Sequence, residues 1–242
     1  MWEQFPKQHC QGPSRSTSDP SLSGKEAKGL GLKLGLIDYG MGNLHSVEFA
    51  FLRLSQPCRR VQSSNDLHSC DALILPGVGS FDPAMENLSS TGLIPDLLGW
   101  ANDDKPLLGI CLGLQLLFES SSEGRLDGLG LIQGHVERLP DDQDERIPHM
   151  GWAPLDRKHP SPLLNDQEPA PWMYFVHSYA AVPAQPKTLA ATTRFGDQDI
   201  TAMVWQNRLG ACQFHPEKSS DDGSALLKQW LQWLNRGAPF EP

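Results

Sequence analysis

The chain has 242 residues, 39% of them apolar, which is enough to bury a sizeable core and excludes a disordered or fibrous protein. Its formal charge is −9 and it has no Lys/Arg-rich run, so nucleic acid and anionic membranes are excluded as partners. The longest apolar run, 106–118, is shorter than the roughly 18 residues that a membrane span needs. The five cysteines are odd in number and lack CxxC spacing, which favours a reducing compartment and predicts a cytoplasmic protein.

The first 30 residues contain few apolar side chains and much Ser, Pro, Gly and Lys. They also lack the apolar core of a secretory signal. We therefore predict a disordered tail over residues 1–30 and one domain over residues 31–242. A transit peptide and a translation start placed too far upstream remain as alternatives for the tail, although Glu3, Asp19 and Glu26 are unusual in transit peptides.

From Lys33 onward, short apolar runs alternate with amphipathic segments. The runs LGLID, CRRVQ, DALILP and KPLLGI predict strands, and NLHSVEFAFLRLS predicts a helix between the first two. A further helix is predicted over LGLQLLFES, where Leu114, Leu117 and Phe118 repeat with helical period. Near-continuous apolar strands separated by helices indicate a parallel sheet that is covered on both faces.

The second half of the chain is rich in β-strand patterns joined by short polar turns, and several of these strands are expected to pair antiparallel. The predicted strands are LIQGHVERL, WMYFVHSYA, TLAATTRF, ITAMVWQ and LGACQFH. The segment SALLKQWLQWL then closes the chain as an amphipathic helix. The sequence therefore predicts an α/β domain with a mixed, mainly parallel central sheet flanked by helices.

The sharpest local signal is the pentapeptide GICLG at 109–113, where a buried strand meets a helix. The pattern G-x-S-x-G forms a nucleophile elbow in that context, and here Cys111 replaces the serine. Such a tight turn needs residues without Cβ on both sides, which Gly109 and Gly113 provide. The helix N-terminus favours a thiolate, and the Leu112 amide can donate to an oxyanion. The alternative is a buried structural cysteine.

A thiol nucleophile needs a base, and His215 is the best placed of the eight histidines. It ends the apolar run LGACQF and is followed by Pro216 and Glu217. Residues i and i+2 of an extended segment project from the same face, so Glu217 can hold one ring nitrogen of His215 and leave the other for Cys111. These residues form a candidate Cys-His-Glu triad.

The motifs resemble those of class I glutamine amidotransferases, and in particular the glutaminase subunits of imidazole glycerol phosphate synthase. The resemblance covers about 34–234 and rests on YGMGNLHSV, PGVGSF, GICLGLQLLFE, PHMGW, YFVHSYA and QFHPEKS, in that order. It implies a flavodoxin-like α/β fold and hydrolysis of L-glutamine to glutamate and ammonia through a thioester, with no cofactor and no metal. It also implies a heterodimer with a (βα)8-barrel cyclase, which would use the ammonia to form imidazole glycerol phosphate and AICAR in histidine biosynthesis.

The resemblance assigns a role to each matching position. Cys111 becomes the nucleophile, His215 the base and Glu217 its orienting residue. The remaining implied residues are Gln115 as a substrate contact, Gly77 and Gly79 as sites of close backbone approach and oxyanion donation, the backbone of His177, Ser178 and Tyr179 for the amino-acid end of glutamine, and Asn43 and Lys218 at the partner interface.

Each of these positions also has a purely structural interpretation. Gln115 would be a polar residue on the exposed side of a helix, His177 a hydrogen-bonded core histidine, and the PGVG glycines an ordinary turn. Asn43 would be a helix cap and Lys218 a solvated lysine. The family usually has Asn after HMGW where this chain has Ala153, which puts one interface contact in doubt.

Three other functions compete with the glutaminase subunit of this synthase. The glutaminase component of anthranilate or aminodeoxychorismate synthase shares the nucleophile and HPE motifs, but usually carries PGGP-like loops. A catalytically silent docking subunit would have lost Cys, His or Glu, and all three are present. A metal enzyme is disfavoured because no HxxxH or HExxH spacing occurs.

Overall fold

The computed structural model describes residues 31–141, 145–164 and 169–240, so the predicted tail over residues 1–30 lies outside the described residues. An eight-stranded sheet forms the centre of the domain, with strands in the order β2-β1-β3-β4-β13-β12-β11-β8. These strands are β1 (Leu34–Ile37), β2 (Cys58–Val61), β3 (Ala72–Gly77), β4 (Leu107–Cys111), β8 (Asp156–Arg157), β11 (Leu189–Phe195), β12 (Gln198–Gln206) and β13 (Leu209–Cys212).

The sheet is mixed, as the sequence predicts. The strands β2, β1, β3, β4 and β13 are all parallel, whereas β12, β11 and β8 continue the sheet by antiparallel pairing. The order 2-1-3-4 followed by a fifth parallel strand is that of flavodoxin-like folds. The predicted fold class is therefore confirmed.

Helices cover both faces of the sheet. They are α1 (Leu44–Arg53), α2 (Ser64–His68), α3 (Phe81–Ser90), α4 (Ile94–Asn102), α5 (Leu112–Leu116) and α6 (Ser220–Asn235). On β3, Ala72 and Ile74 belong to the core shared with α1 and α6, whereas Leu73 and Leu75 belong to the core shared with α2 to α5. Within the described ranges, no helix combines the length and apolar character needed to cross a membrane.

Two small sheets are added at the edge of this core. One has the order β10-β6-β5 and the other pairs β7 with β9. Their strands are β5 (Phe118–Ser121), β6 (Ile132–Arg138), β7 (His149–Pro154), β9 (Trp172–His177) and β10 (Tyr179–Pro183). The run WMYFVHSYA is therefore two strands, which separate at Ser178 and join different sheets.

The helix predicted over LGLQLLFES is wrong beyond Leu116. Phe118 begins β5 instead of continuing the helical repeat. The reason is tertiary hydrogen bonding, because the carbonyl groups of Leu116 and Leu117 accept from Leu129 N at 2.8 Å and Ile132 N at 3.0 Å. A helix that continued past Leu116 would need these carbonyl groups for its own N–H donors.

Candidate active site

Cys111 lies at a sharp turn between β4 and α5. Its backbone has φ 56° and ψ −112°, a conformation that non-glycine residues rarely adopt and that is typical of functional turns. A Cβ at Gly113 would collide with the Leu75 carbonyl, and one at Gly109 would lie 3.0 Å from the Ala211 Cβ. Both glycines are therefore required for the close packing of the elbow, as the sequence pattern indicates.

His215 and Glu217 form a buried pair at the carboxyl end of β13. The Nδ1 atom of His215 lies 2.8 Å from Glu217 Oε1, and the two side chains are 3% and 2% exposed. The His215 backbone is held at both ends, since its N–H donates to Tyr174 O at 2.9 Å and its carbonyl accepts from Ser219 Oγ at 2.7 Å. The imidazole is therefore fixed in position.

Electrostatics favour the protonated form of His215. Burial alone would lower the pKa of His215, but the side-chain interactions with Cys111 and Glu217 outweigh it and raise this pKa to about 10. Glu217 accepts from Nδ1, so Nε2 is the ring nitrogen left for Cys111. The arrangement can hold an imidazolium beside a sulfur nucleophile.

A cavity of about 360 Å³ opens onto Cys111 and His215. Nine of the predicted site residues line it, namely Gly79, Cys111, Leu112, Gln115, His177, Ser178, Tyr179, His215 and Lys218. Six of them lie at or after the carboxyl ends of β3, β4 and β13, the edge at which α/β sheets bind ligands, while His177, Ser178 and Tyr179 lie where β9 is followed by β10. The cavity has room for a small amino acid and carries both polar donors and acceptors.

The two glycines of PGVG have different positions. Gly79 lines the cavity and has φ +102°, so its backbone conformation suits glycine. Gly77 instead packs against the elbow, because a Cβ there would lie 2.7 Å from Tyr39 Oη and 2.8 Å from Leu112 Cβ. Close approach is thus required at both glycines, but only Gly79 faces the cavity.

Gln115 and His177 are both buried beside the cavity. Gln115 Nε2 donates to Tyr179 O at 3.1 Å, so the alternative of an exposed helix residue is wrong. His177 Nδ1 donates to the same carbonyl at 2.8 Å, and its Nε2 lies 3.2 Å from His149 Nδ1. Burial lowers the pKa of His177 to about 3, so this ring is neutral and serves to hold the 177–179 segment.

Asn43 and Lys218 lie outside the buried triad. Asn43 is exposed and caps α1, with its side chain accepting from Ser46 N at 3.3 Å. Lys218 is exposed at the rim of the cavity. The cap expected for an Asn that opens a helix is confirmed.

Two functional candidates were missed by the sequence analysis. Glu123 lines the cavity and accepts from Phe81 N at 2.9 Å, and burial raises the pKa of its carboxyl group. Gln213 is buried beside Cys111, with Nε2 3.7 Å from Sγ. The position of Gln213 was available from the sequence, since it precedes His215 by two residues on an extended segment.

Within the described part of the chain, no three His, Cys, Asp or Glu side chains are grouped so that they could hold a metal ion. Cys58, Cys70, Cys111 and Cys212 are all free thiols.

The fold and the site define a class I glutamine amidotransferase. Residues 35–233 match the family described as glutamine amidotransferase class-I, and the chain belongs to this family. The resemblance that the sequence motifs indicate is therefore confirmed.

Individual relatives carry a more specific name than the family does. The chain is 70% identical over 211 residues to "Imidazole glycerol phosphate synthase subunit HisH 2" of Parasynechococcus marenigrum, which covers 87% of this chain and 100% of that protein. It is 63% identical to the protein of the same name from Prochlorococcus marinus strain MIT 9313, over 87% of this chain and 99% of the relative.

Solved structures agree with the fold. A crystal structure of a glutamine amidotransferase superposes with a TM-score of 0.65 at 20% identity, over 84% of this chain and 98% of that chain. PurLQS from Thermotoga maritima gives a TM-score of 0.65 at 17% identity, over 84% of this chain and 99% of that chain. At these identities the likeness shows the fold alone.

Proposed function

We propose that the chain is the glutaminase subunit of an imidazole glycerol phosphate synthase in histidine biosynthesis, and that Cys111, His215 and Glu217 hydrolyse L-glutamine to L-glutamate and ammonia. The observation that carries the catalytic assignment is the elbow conformation of Cys111 beside the buried His215–Glu217 pair, at the wall of a cavity. The names of the relatives support the choice of this synthase over other glutaminases.

The first half of the reaction forms a thioester. The Cys111 sulfur attacks the side-chain carbonyl carbon of glutamine after its proton has passed to His215 Nε2. The oxyanion is stabilised by backbone N–H groups, for which Leu112 at the first position of α5 and Gly79 at the cavity wall are the candidates. His215 then donates its proton to the nitrogen, the C–N bond breaks, and ammonia leaves.

The second half releases glutamate. A water molecule gives a proton to His215 and attacks the thioester carbonyl, and collapse of the tetrahedral intermediate expels the Cys111 thiolate. Glu217 accepts from His215 Nδ1 and stabilises the imidazolium, which forms in both halves. Its burial keeps water from competing for the His215 Nδ1 hydrogen bond.

The polar groups of the cavity fit the two ends of glutamine. The carboxylate of Glu123 is suited to the substrate α-ammonium group, because opposite charges attract strongly where water is partly excluded. Gln115 and the backbone of 177–179 supply neutral hydrogen-bonding groups around the same space. Glutamine therefore binds with its side-chain carbonyl toward Cys111.

One exposed surface is suited to the cyclase partner. Along β7 and β9, the residues that point to one face alternate with more buried residues that point to the other. We call the first the aromatic face; it consists of Met150, Trp152, Pro154, Trp172, Tyr174 and Val176. Met150, Trp152 and Trp172 are 63%, 49% and 52% exposed. Exposed apolar side chains of this size on one face are typical of protein interfaces.

The aromatic face adjoins the active-site cavity. Val176 belongs to both, and Lys218 lies at the cavity rim. A (βα)8-barrel cyclase docked there would receive ammonia directly from the cavity. In this proposal the assembled synthase is a cytoplasmic heterodimer with lyase activity. Asn43 and Lys218 are the polar contacts proposed at this interface. Ala153 is buried on the opposite face of β7, so its replacement of the family Asn leaves the aromatic face unchanged.

The Cys111→Ala variant tests the catalytic assignment. In complex with the cyclase, the variant should lose glutamine-dependent synthesis of imidazole glycerol phosphate, because ammonia can no longer be released from glutamine. The same complex supplied with ammonium salts should keep its activity, which controls for folding and assembly. Glutamine-dependent turnover near that of the unaltered chain would contradict the assignment of Cys111 as nucleophile.

A further inference from the structure

Gln213 is a fully buried polar residue beside the nucleophile, with 0% of its surface exposed. The parallel register of β13 and β4 pairs Cys212 with Ile110, and so places the next residue, Gln213, beside Cys111. Gln213 and His215 are two positions apart, so both turn toward the same sulfur.

A chain of amide hydrogen bonds starts at that sulfur. Gln213 Nε2 donates to Cys111 Sγ at 3.7 Å, and Gln213 Oε1 accepts from Gln115 Nε2 at 3.0 Å. Gln115 Nε2 donates its second hydrogen to Tyr179 O at 3.1 Å. The chain therefore joins the nucleophile to the segment that lines the far side of the cavity.

Only one orientation of the Gln115 and Gln213 side-chain amides satisfies all of these hydrogen bonds. Both hydrogens of Gln115 Nε2 have acceptors, which leaves Gln115 Oε1 as an acceptor at the cavity. Reversal of Gln115 would place its oxygen against two other oxygens, and reversal of Gln213 would turn an oxygen toward the sulfur. The Tyr179 carbonyl and, through Gln213, the need of Cys111 for a donor therefore require the same direction of Gln115.

We propose that Gln213 is a positioning residue that stabilises the Cys111 thiolate and, through Gln115, presents a hydrogen-bond acceptor to an N–H group of bound glutamine. The inference rests on the proposed glutaminase function. It adds a link between the ionisation of the nucleophile and the affinity for substrate, carried by two buried amides.

The test replaces Gln213 with methionine, which keeps the length of the side chain and removes both hydrogen bonds. The rate of iodoacetamide alkylation at Cys111, followed by peptide mass spectrometry as a function of pH, reports the thiolate. We expect the midpoint of this profile to rise by about one pH unit, since a hydrogen bond to the charged form is lost. KM for glutamine, measured with the cyclase, should rise about tenfold because Gln115 loses one of the two hydrogen bonds that hold it.

Gln56→Met is the matched control. Gln56 is also buried, with Nε2 donating to Leu32 O at 2.8 Å. It precedes β2 and so lies at the amino ends of the parallel strands, whereas the elbow lies at their carboxyl ends. This variant should lower the melting temperature and leave the alkylation midpoint and KM unchanged. A structural role alone for Gln213 would give the same pattern in both variants.

The unaltered chain in complex with the cyclase provides a second measurement that needs no Gln213 variant. The side-chain amide resonance of Gln213 in a ¹⁵N-resolved spectrum should shift with the pH midpoint found by alkylation, and this shift should vanish in Cys111→Ala. The inference would be overturned if the Gln213 amide resonance showed no pH-dependent shift, or showed the same shift in Cys111→Ala. A folded Gln213→Met variant with unchanged alkylation midpoint and KM would overturn it as well. Alkylation requires no glutamine, so failure of the inference and failure of the proposed glutaminase function are distinguishable.

Discussion

The Glu217→Gln substitution removes a charge from the triad and almost nothing else. The new amide oxygen can still accept from His215 Nδ1 at the position of Oε1, 2.8 Å away, while the amide nitrogen replaces Oε2, a buried atom without a hydrogen-bond partner among the described residues. A hydrogen bond to a charged group contributes about 1.5–3 kcal/mol, against about 0.5–1.5 kcal/mol for a neutral one. The difference of roughly 1–2 kcal/mol corresponds to a fall in kcat of about 5- to 30-fold.

The assay is glutamine hydrolysis in complex with the cyclase, with ammonia-dependent synthesis as the control for assembly. His215→Ala should cost more, about 10²- to 10⁴-fold, because the proton carrier itself is lost. Equal rates for Glu217→Gln and the unaltered chain would refute the orienting role of Glu217.

The same substitution changes the pH dependence of stability. The pKa of His215 is raised to about 10, so its stabilising contribution is complete below its ordinary pKa near 6.5 and is lost as pH rises through about 10. Without the carboxylate, the pKa of His215 in the folded state is lower, so the loss still begins near pH 6.5 but is smaller and is complete at a lower pH. Between pH 7 and 10.5, the melting temperature of Glu217→Gln should therefore decline less and reach its plateau at a lower pH than that of the unaltered chain. Superimposable profiles would contradict the electrostatic role of the carboxylate.

The remaining four predictions concern the elbow, the substrate site, the N-terminal segment and the interface. Gly113→Ala should cost more than about 3 kcal/mol of unfolding free energy in urea, because its Cβ meets backbone, and Gly109→Ala about 1–3 kcal/mol. Glu123→Gln should raise KM for glutamine at least about tenfold and change kcat less than about threefold, as steady-state kinetics will show, since it removes a charge that binds substrate. Deletion of residues 1–30, which their composition predicts to be a disordered tail, should leave the melting temperature and the glutaminase rate unchanged. Trp152→Ala should weaken cyclase binding about 30-fold by calorimetry without changing the melting temperature of the free chain, because Trp152 is exposed.

The parallel half of the fold and the placement of Cys111, His215 and Glu217 at one site were predictable because each depends on local patterns. Strands such as 72–77 are buried on both faces and therefore read as unbroken apolar runs. The glycines around Cys111 and the spacing of His215 and Glu217 are local requirements of a turn and of an extended segment. Parallel strands then bring these distant segments to one edge of the sheet.

The other features of the fold and the site depend on tertiary contacts, which local sequence patterns do not predict. The length of α5 is set by Leu129 and Ile132, which bind the carbonyl groups a longer helix would use. Glu123 reaches the cavity only because that segment turns away from the helix into a small sheet. Gly77 resembles a substrate-facing glycine, yet its closest neighbours are Tyr39 and the elbow residues Leu112 and Gly113.

The link between the two subunits is tested most directly by the glutaminase rate of the purified chain with and without the barrel cyclase. The aromatic face adjoins the cavity through Val176 and Lys218 lies at its rim, so a docked partner would touch the walls of the active site. We expect the rate of glutamate release to rise at least about tenfold when the cyclase is added, and to fall to background in the Cys111→Ala complex. A rate that is the same with and without the cyclase, or that persists in Cys111→Ala, would contradict the assignment of this chain as the glutaminase subunit.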